Sequence, residues 1–265
     1  MQRKIALENT AVKSAVRYLL ILIIIVQMIW PITFINPLED GSDNPVMVII
    51  YQALYMTLML AGIFISRDNK ALTQLLVFLG VGWLGTGIVY TFNQTASWAL
   101  ISGYVVIAAF QITVTIILLR YIFNAHTIDR EVIYAACAVY LLFGAVFVPI
   151  FGLIETATFF STGGLDGGLH AFSDGIIRDG EIFPWQTFIY YSYSTLTTLG
   201  YGDILPITPW ARAAATFEAI LGVLYITVIM ARLVGLYATS EVDEVIEEFS
   251  SHTKQLYNNL NEPTD

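Results

Sequence analysis

Thr195-Leu-Thr-Thr-Leu-Gly-Tyr-Gly-Asp203 is the stretch from which the rest of the chain is read. Successive carbonyls line one narrow passage only if the backbone alternates between ordinary and positive-φ conformations, and glycine enters the second kind without steric penalty. Gly200 and Gly202 stand at alternate positions, as that requires. Gly-Tyr-Gly-Asp alone is also ordinary turn composition. Context separates the two readings. Residues 185–197 form a short aromatic amphipathic segment opened by Pro184, whose fixed φ suits the first turn of a helix. That segment is too short to cross a bilayer, and a long apolar run lies on each side of the whole unit.

Of the 265 residues, 57% are hydrophobic and only 12% charged, more apolar surface than a soluble domain of this size buries. The composition places the chain in a membrane. Six stretches are long enough to cross a bilayer as helices: 18–35, 46–65, 71–92, 98–119, 132–154 and 211–237. The first follows Arg3, Lys4, Lys13 and Arg17, but it is longer than a secretory signal core and lacks a small-residue cleavage site, so it reads as a retained span. The lone Cys137 excludes an intrachain disulfide and reads as a small packing residue.

Charge fixes an expected orientation. Only Ser66-Arg-Asp-Asn-Lys70 separates the second and third spans, a tight hairpin whose Arg67 and Lys70 mark the cytoplasmic side. Arg3, Lys4, Lys13, Arg17, Arg120, Arg130, Arg232 and Lys254 then fall inside as well, leaving only Arg178 and Arg212 outside. Both termini are expected in the cytoplasm. The first external loop carries Glu39, Asp40 and Asp43 with no cation, and Trp30, Trp98, Trp185 and Trp210 come near the outer interface.

The nine-residue stretch, in this setting, closely resembles the potassium-channel signature, with Leu199 where valine is usual. The resemblance is specific over 184–235 and architectural over the first four spans. It implies an all-α membrane protein with six transmembrane helices, a re-entrant pore helix and a filter loop. Four copies of Thr198, Leu199, Gly200, Tyr201 and Gly202 would ring a pore, with oxygens from Thr198 to Tyr201 replacing the hydration shell of potassium. One such segment per chain implies a homotetramer. Tyr190 and Tyr191 align with the aromatic cuff behind Tyr201; many members have tryptophan at both, which leaves the cuff's hydrogen bonds to Asp203 open. Ser194 stands where some members have a carboxylic acid. Gly222 aligns with the inner-helix hinge, and Ile226, Met230 and Val234 with pore-facing positions, an apolar stripe that closes a pore by dewetting or, read without the family, packs against another helix. Compact loops resemble prokaryotic channels in the cell membrane.

The remaining features follow from the residues. Glu218, an ionisable group inside a span, is a functional candidate by default, expected to hydrogen-bond Ser192 or Thr195 and support the filter, or else to face water. The fourth span has no basic residue before Arg120, so it lacks the spaced charges that make gating steeply voltage-dependent. Gly82 and Thr86 have the spacing of a close helix contact. Residues 155–184, glycine-rich and acidic, are expected as a flexible external turret, either a negative vestibule or a solubilising loop. The tail has Val242, Val245, Phe249 and Leu256 at heptad-like spacing, interrupted by His252 and Asn259, so a short coiled coil and a frayed acidic helix stand level.

These readings divide the chain into a four-span module at 1–119, a cytoplasmic linker at 120–131, a pore module at 132–238 and an acidic tail at 239–265. No cofactor is expected, potassium being the permeant ion, and the expected partners are membrane lipid and identical subunits rather than nucleic acid. His126, His170 and His252 all lie outside the spans and none has metal-ligand spacing; His126 reads as a solvated linker residue. That argues against an intramembrane enzyme. A secondary transporter would show paired broken helices, whereas only one re-entrant segment is present. A nonselective cation channel is the nearest alternative, since Leu199 and the tyrosine cuff bear on selectivity.

Overall fold

The computed structural model describes residues 18, 21, 45–67, 69–92, 97–125, 130–173, 183 and 185–260. Within them lie six α-helices: α1 (Pro45–Ile65), α2 (Lys70–Phe92), α3 (Ser97–Phe123), α4 (Arg130–Ser161), α5 (Thr187–Leu196) and α6 (Pro209–Leu260). Segments of four of them, Lys70–Val89, Ser97–Phe123, Arg130–Ser161 and Pro209–Gly235, are long and apolar enough to cross a membrane. α1 is helical over 21 residues. The chain is an integral membrane protein. The expected span at 18–35 lies outside the described residues, apart from Tyr18 and Ile21.

Local chemistry sets the helix ends. Asn69 caps α2, its side-chain oxygen accepting the N–H groups of Ala71 at 3.1 Å and Leu72 at 3.3 Å. The Thr73 hydroxyl donates to Ser66 O at 2.8 Å, closing the expected α1–α2 hairpin. Pro209 opens α6 at the position where its missing donor is not needed, and Arg212 N donates back to Thr208 O at 3.0 Å.

α4 is the axle of the molecule, packing against α3, α5 and α6. Two of its glycines receive aromatic rings: a Cβ on Gly152 would lie 2.6 Å from Tyr104 of α3, and one on Gly144 equally close to Tyr193 of α5. α2 packs on α3 through the small residues read from the sequence, with Gly82 facing Val106 and Thr86 facing Gly103.

Several boundaries differ from expectation. α4 runs to Ser161 rather than ending near 154, because Thr156, Ala157, Thr158, Phe159 and Phe160 continue the helix past Glu155. The turret is correspondingly shorter, and of its acidic residues Asp174, Asp179 and Glu181 lie outside the described residues, as do Arg178 and Pro184. Residues 120–123 of the expected linker belong to α3, and His126 lies outside the described residues. Two short strands, β1 (Phe172–Ser173) and β2 (Leu205–Pro206), pair antiparallel in an otherwise helical fold. α6 continues into the tail without a break, while the side chains of the expected seam lie outside the described residues. Cys137 is exposed rather than packed in the core.

Candidate functional site

The site grows from α5, a helix of ten residues whose aromatic side anchors it in the core. Phe188, Ile189, Tyr191 and Leu196 are buried there. The Tyr193 hydroxyl donates to Leu141 O on α4 at 2.7 Å. At its C-terminal end the Thr197 hydroxyl donates to Tyr193 O at 2.7 Å, and the N–H groups of Leu199 and Gly200 fold back onto Ser194 O at 2.9 and 3.2 Å. Ser194 therefore contributes its backbone oxygen to the loop that follows.

That loop holds the one non-glycine residue with positive φ among the described residues. Thr198, Gly200 and Gly202 have φ of 59°, 56° and 80°. Positive φ thus recurs at every second residue. The two glycines reach it freely, whereas Thr198 is β-branched and belongs to a class for which this conformation is a genuine outlier, at a cost on the order of 1–3 kcal/mol. Strain of this kind persists only where surrounding structure imposes it.

Beyond the loop the chain is pinned again. The Tyr190 and Tyr201 rings stack at 6.3 Å with 6° between planes, and the Tyr190 hydroxyl donates to Asp203 Oδ2 at 2.7 Å. Asp203 Oδ1 accepts Ile204 N at 3.1 Å. The bond to Asp203 that the sequence left open is made by a phenol. Tyr191, its neighbour, turns the other way and packs edge-on against Phe151 at 5.0 Å and Phe172 at 5.1 Å.

α6 backs this unit from the other side. Glu218 is fully buried, and Ser192 Oγ lies 2.5 Å from Glu218 Oε1 and 2.7 Å from Gly144 O, so one hydroxyl links α4, α5 and α6. Gly222 lets the α5 terminus approach: a Cβ there would fall 2.7 Å from Leu196 O. The opposite face of α6 is uncovered, with Ile226, Met230 and Val234 at 48, 55 and 63% exposure while Ile229 is buried. Leu199 and Tyr201, in the loop with alternating φ, are likewise exposed, at 55 and 68%. Among the described residues no group of three or more His, Cys, Asp or Glu is placed to hold a metal ion.

Residues 135–238 match the family model described as an ion channel. The matched segment starts in α4 and takes in α5, the loop with alternating φ and the uncovered stripe of α6. No curated protein and no solved structure matches the chain. The match supports an ion channel, and the helices give it a membrane setting.

For three residues of the matched segment the part they play is not legible in the sequence. Thr198 was expected to supply a hydroxyl, and nothing in a threonine announces positive φ. Arg232 on α6 donates to Ile122 O, Phe123 O and Ala125 O at 3.2, 2.8 and 3.0 Å, where the last carbonyls of α3 carry partial negative charge. Glu155 is buried inside α4 and not in the turret; its signal is an acid followed by further apolar residues, hence an acid within a span.

Proposed function

We propose that four copies of this chain form a potassium-selective channel, with oxygens of Thr198, Leu199, Gly200 and Tyr201 standing in for the water around the ion. The observation that carries this reading is the alternation of positive φ at Thr198, Gly200 and Gly202 in a loop braced between α5 and α6. Such alternation lets consecutive carbonyls face one passage, and rings of carbonyls are what coordinate a dehydrated potassium ion. One chain supplies one wall. The exposure of Leu199, Tyr201 and the Ile226, Met230 and Val234 stripe leaves surface for identical neighbours to cover.

Each part then has a task. The C-terminal end of α5 directs partial negative charge toward a central cavity and stabilises a cation there. Tyr190 and Asp203 hold the mouth of the filter, while Glu218 and Ser192 hold its back. Gly222 allows the α6 backbone to bend, and the apolar ring at Ile226, Met230 and Val234 closes the pore by dewetting. The span of α3 reaches Arg120 without a basic residue, so opening does not depend steeply on voltage. Both termini face the cytoplasm in this arrangement.

Flux from proteoliposomes tests the reading. Purified protein loaded with potassium should release it to an ionophore-driven gradient much faster than it releases sodium. Equal rates for the two ions would establish the nonselective alternative, which Leu199 in the valine position makes the nearest rival.

A further inference from the structure

Glu155 has no part in the conduction path described above, yet it is a carboxyl group buried at 3% exposure near the end of α4. A buried carboxylate requires hydrogen bonds, and this one takes all of them from one tripeptide. Oε2 accepts the N–H groups of Ala171 at 2.7 Å and Phe172 at 3.2 Å, and Oε1 bonds His170 Nδ1. The His170 ring is laid on Phe159 at 5.0 Å and stands edge-on to Phe183 at 6.2 Å, which fixes its orientation.

Two paths lead from that tripeptide to the filter loop. Along the first, Ala171 O accepts Ile207 N at 2.8 Å and Thr208 N at 3.3 Å, and β1 pairs with β2 in the register Phe172 to Pro206 and Ser173 to Leu205. β2 begins two residues after Asp203. Along the second, the Phe172 ring packs against Phe188 at 5.2 Å and Tyr191 at 5.1 Å, both on α5. One carboxylate therefore holds a piece of chain that touches the helix before the filter loop and the strand after it.

We propose that Glu155 is a positioning residue for ion selection: its clamp on residues 170–172 sets the distance between α5 and β2, and so the shape of the loop strung between them. The proposal rests on the conduction reading given above. A tripeptide that belonged only to a surface loop would not touch both α5 before the filter loop and the chain at β2 after it.

Bi-ionic reversal potentials and single-channel open times of the full-length tetramer test it. Glu155→Gln keeps an oxygen for the two backbone donors and offers an amide N–H to His170 Nδ1, so it should stay within about twofold of wild type on both readouts. Glu155→Asp is one methylene short of spanning the tripeptide, and it should lower the potassium-over-sodium ratio or the mean open time by about tenfold, the effect of roughly one hydrogen bond. Wild-type ratio and open time in Glu155→Asp would overturn the proposal. So would a lower tetramer yield with each surviving channel behaving normally, which marks a purely structural role. Should Glu155→Asp not assemble, His170→Phe keeps the stack on Phe159 and removes the Nδ1 donor; it should shift the same readouts, and wild-type behaviour there overturns the clamp. A wild-type tetramer that passes no ions overturns the conduction reading and this proposal with it. One that passes both ions equally overturns potassium selection, and with it the role of Glu155 in ion selection, while conduction itself stands.

Discussion

At Gly200 an added Cβ would meet nothing within 4 Å in the chain, so the cost of Gly200→Ala there is the cost of the backbone. An L-residue at its φ of 56° loses roughly 1–2 kcal/mol. For the proposed tetramer the expected result is normal assembly with a single-channel potassium conductance about tenfold lower, as each of four subunits would resist the same conformation. Unchanged conductance would remove the alternation from the mechanism. Tyr190→Phe keeps the stack on Tyr201 and deletes the hydroxyl that bonds Asp203. That bond is solvent-exposed in the chain, so a loss of about 1 kcal/mol is expected, seen as roughly fivefold faster decay of current under sustained opening. Ser194→Ala should leave conduction close to wild type, because the groups that reach Leu199 N and Gly200 N come from its backbone. At this scale glycine spacing was legible, since only glycine enters positive φ freely. Thr198 was not, because its conformation is imposed by what surrounds it.

Helices behave as two-sided objects, and α6 shows both sides at once. Ile229 faces the core at 6% exposure and Met230, its neighbour in sequence, is 55% exposed. Ile229→Ala should cost about 2–4 kcal/mol, read as a lowered melting temperature with selectivity intact. Met230→Asp should leave the melting temperature nearly unchanged and raise open probability, because a charged ring stays wet where an apolar one dries. Recordings of Met230→Asp indistinguishable from wild type would take that face out of the pore wall. The periodicity of the apolar stripe was legible, but which face it lay on came from the motif resemblance. Helix ends were less legible. Glu155 was read as the start of a loop because an acid usually ends a span, whereas hydrogen bonds from Ala171 and Phe172 let it remain inside one. Residues sixteen and seventeen positions away supply those bonds, a separation that no helical or strand period encodes.

For the whole molecule, the distribution of charge and hydropathy was enough to place the chain in a membrane, while the way α4 gathers α3, α5 and α6 around glycines was not, because it depends on which ring meets which gap. In the proposed assembly each chain would supply one such loop, so the conducting species would contain four chains. Glu218→Ala, which removes the carboxyl that Ser192 bonds and leaves a void among α4, α5 and α6, should lower the fraction of protein recovered as tetramer in mild detergent, by about 2–4 kcal/mol of stability. Wild-type recovery would place that contact outside the scaffold of the pore. The most direct test of the account is the reversal potential of the purified tetramer in a planar bilayer, with potassium on one side and an equal concentration of sodium on the other. The account predicts a reversal displaced by at least about 60 mV, a permeability ratio of tenfold or more in favour of potassium. A reversal at zero, with current flowing, would contradict it.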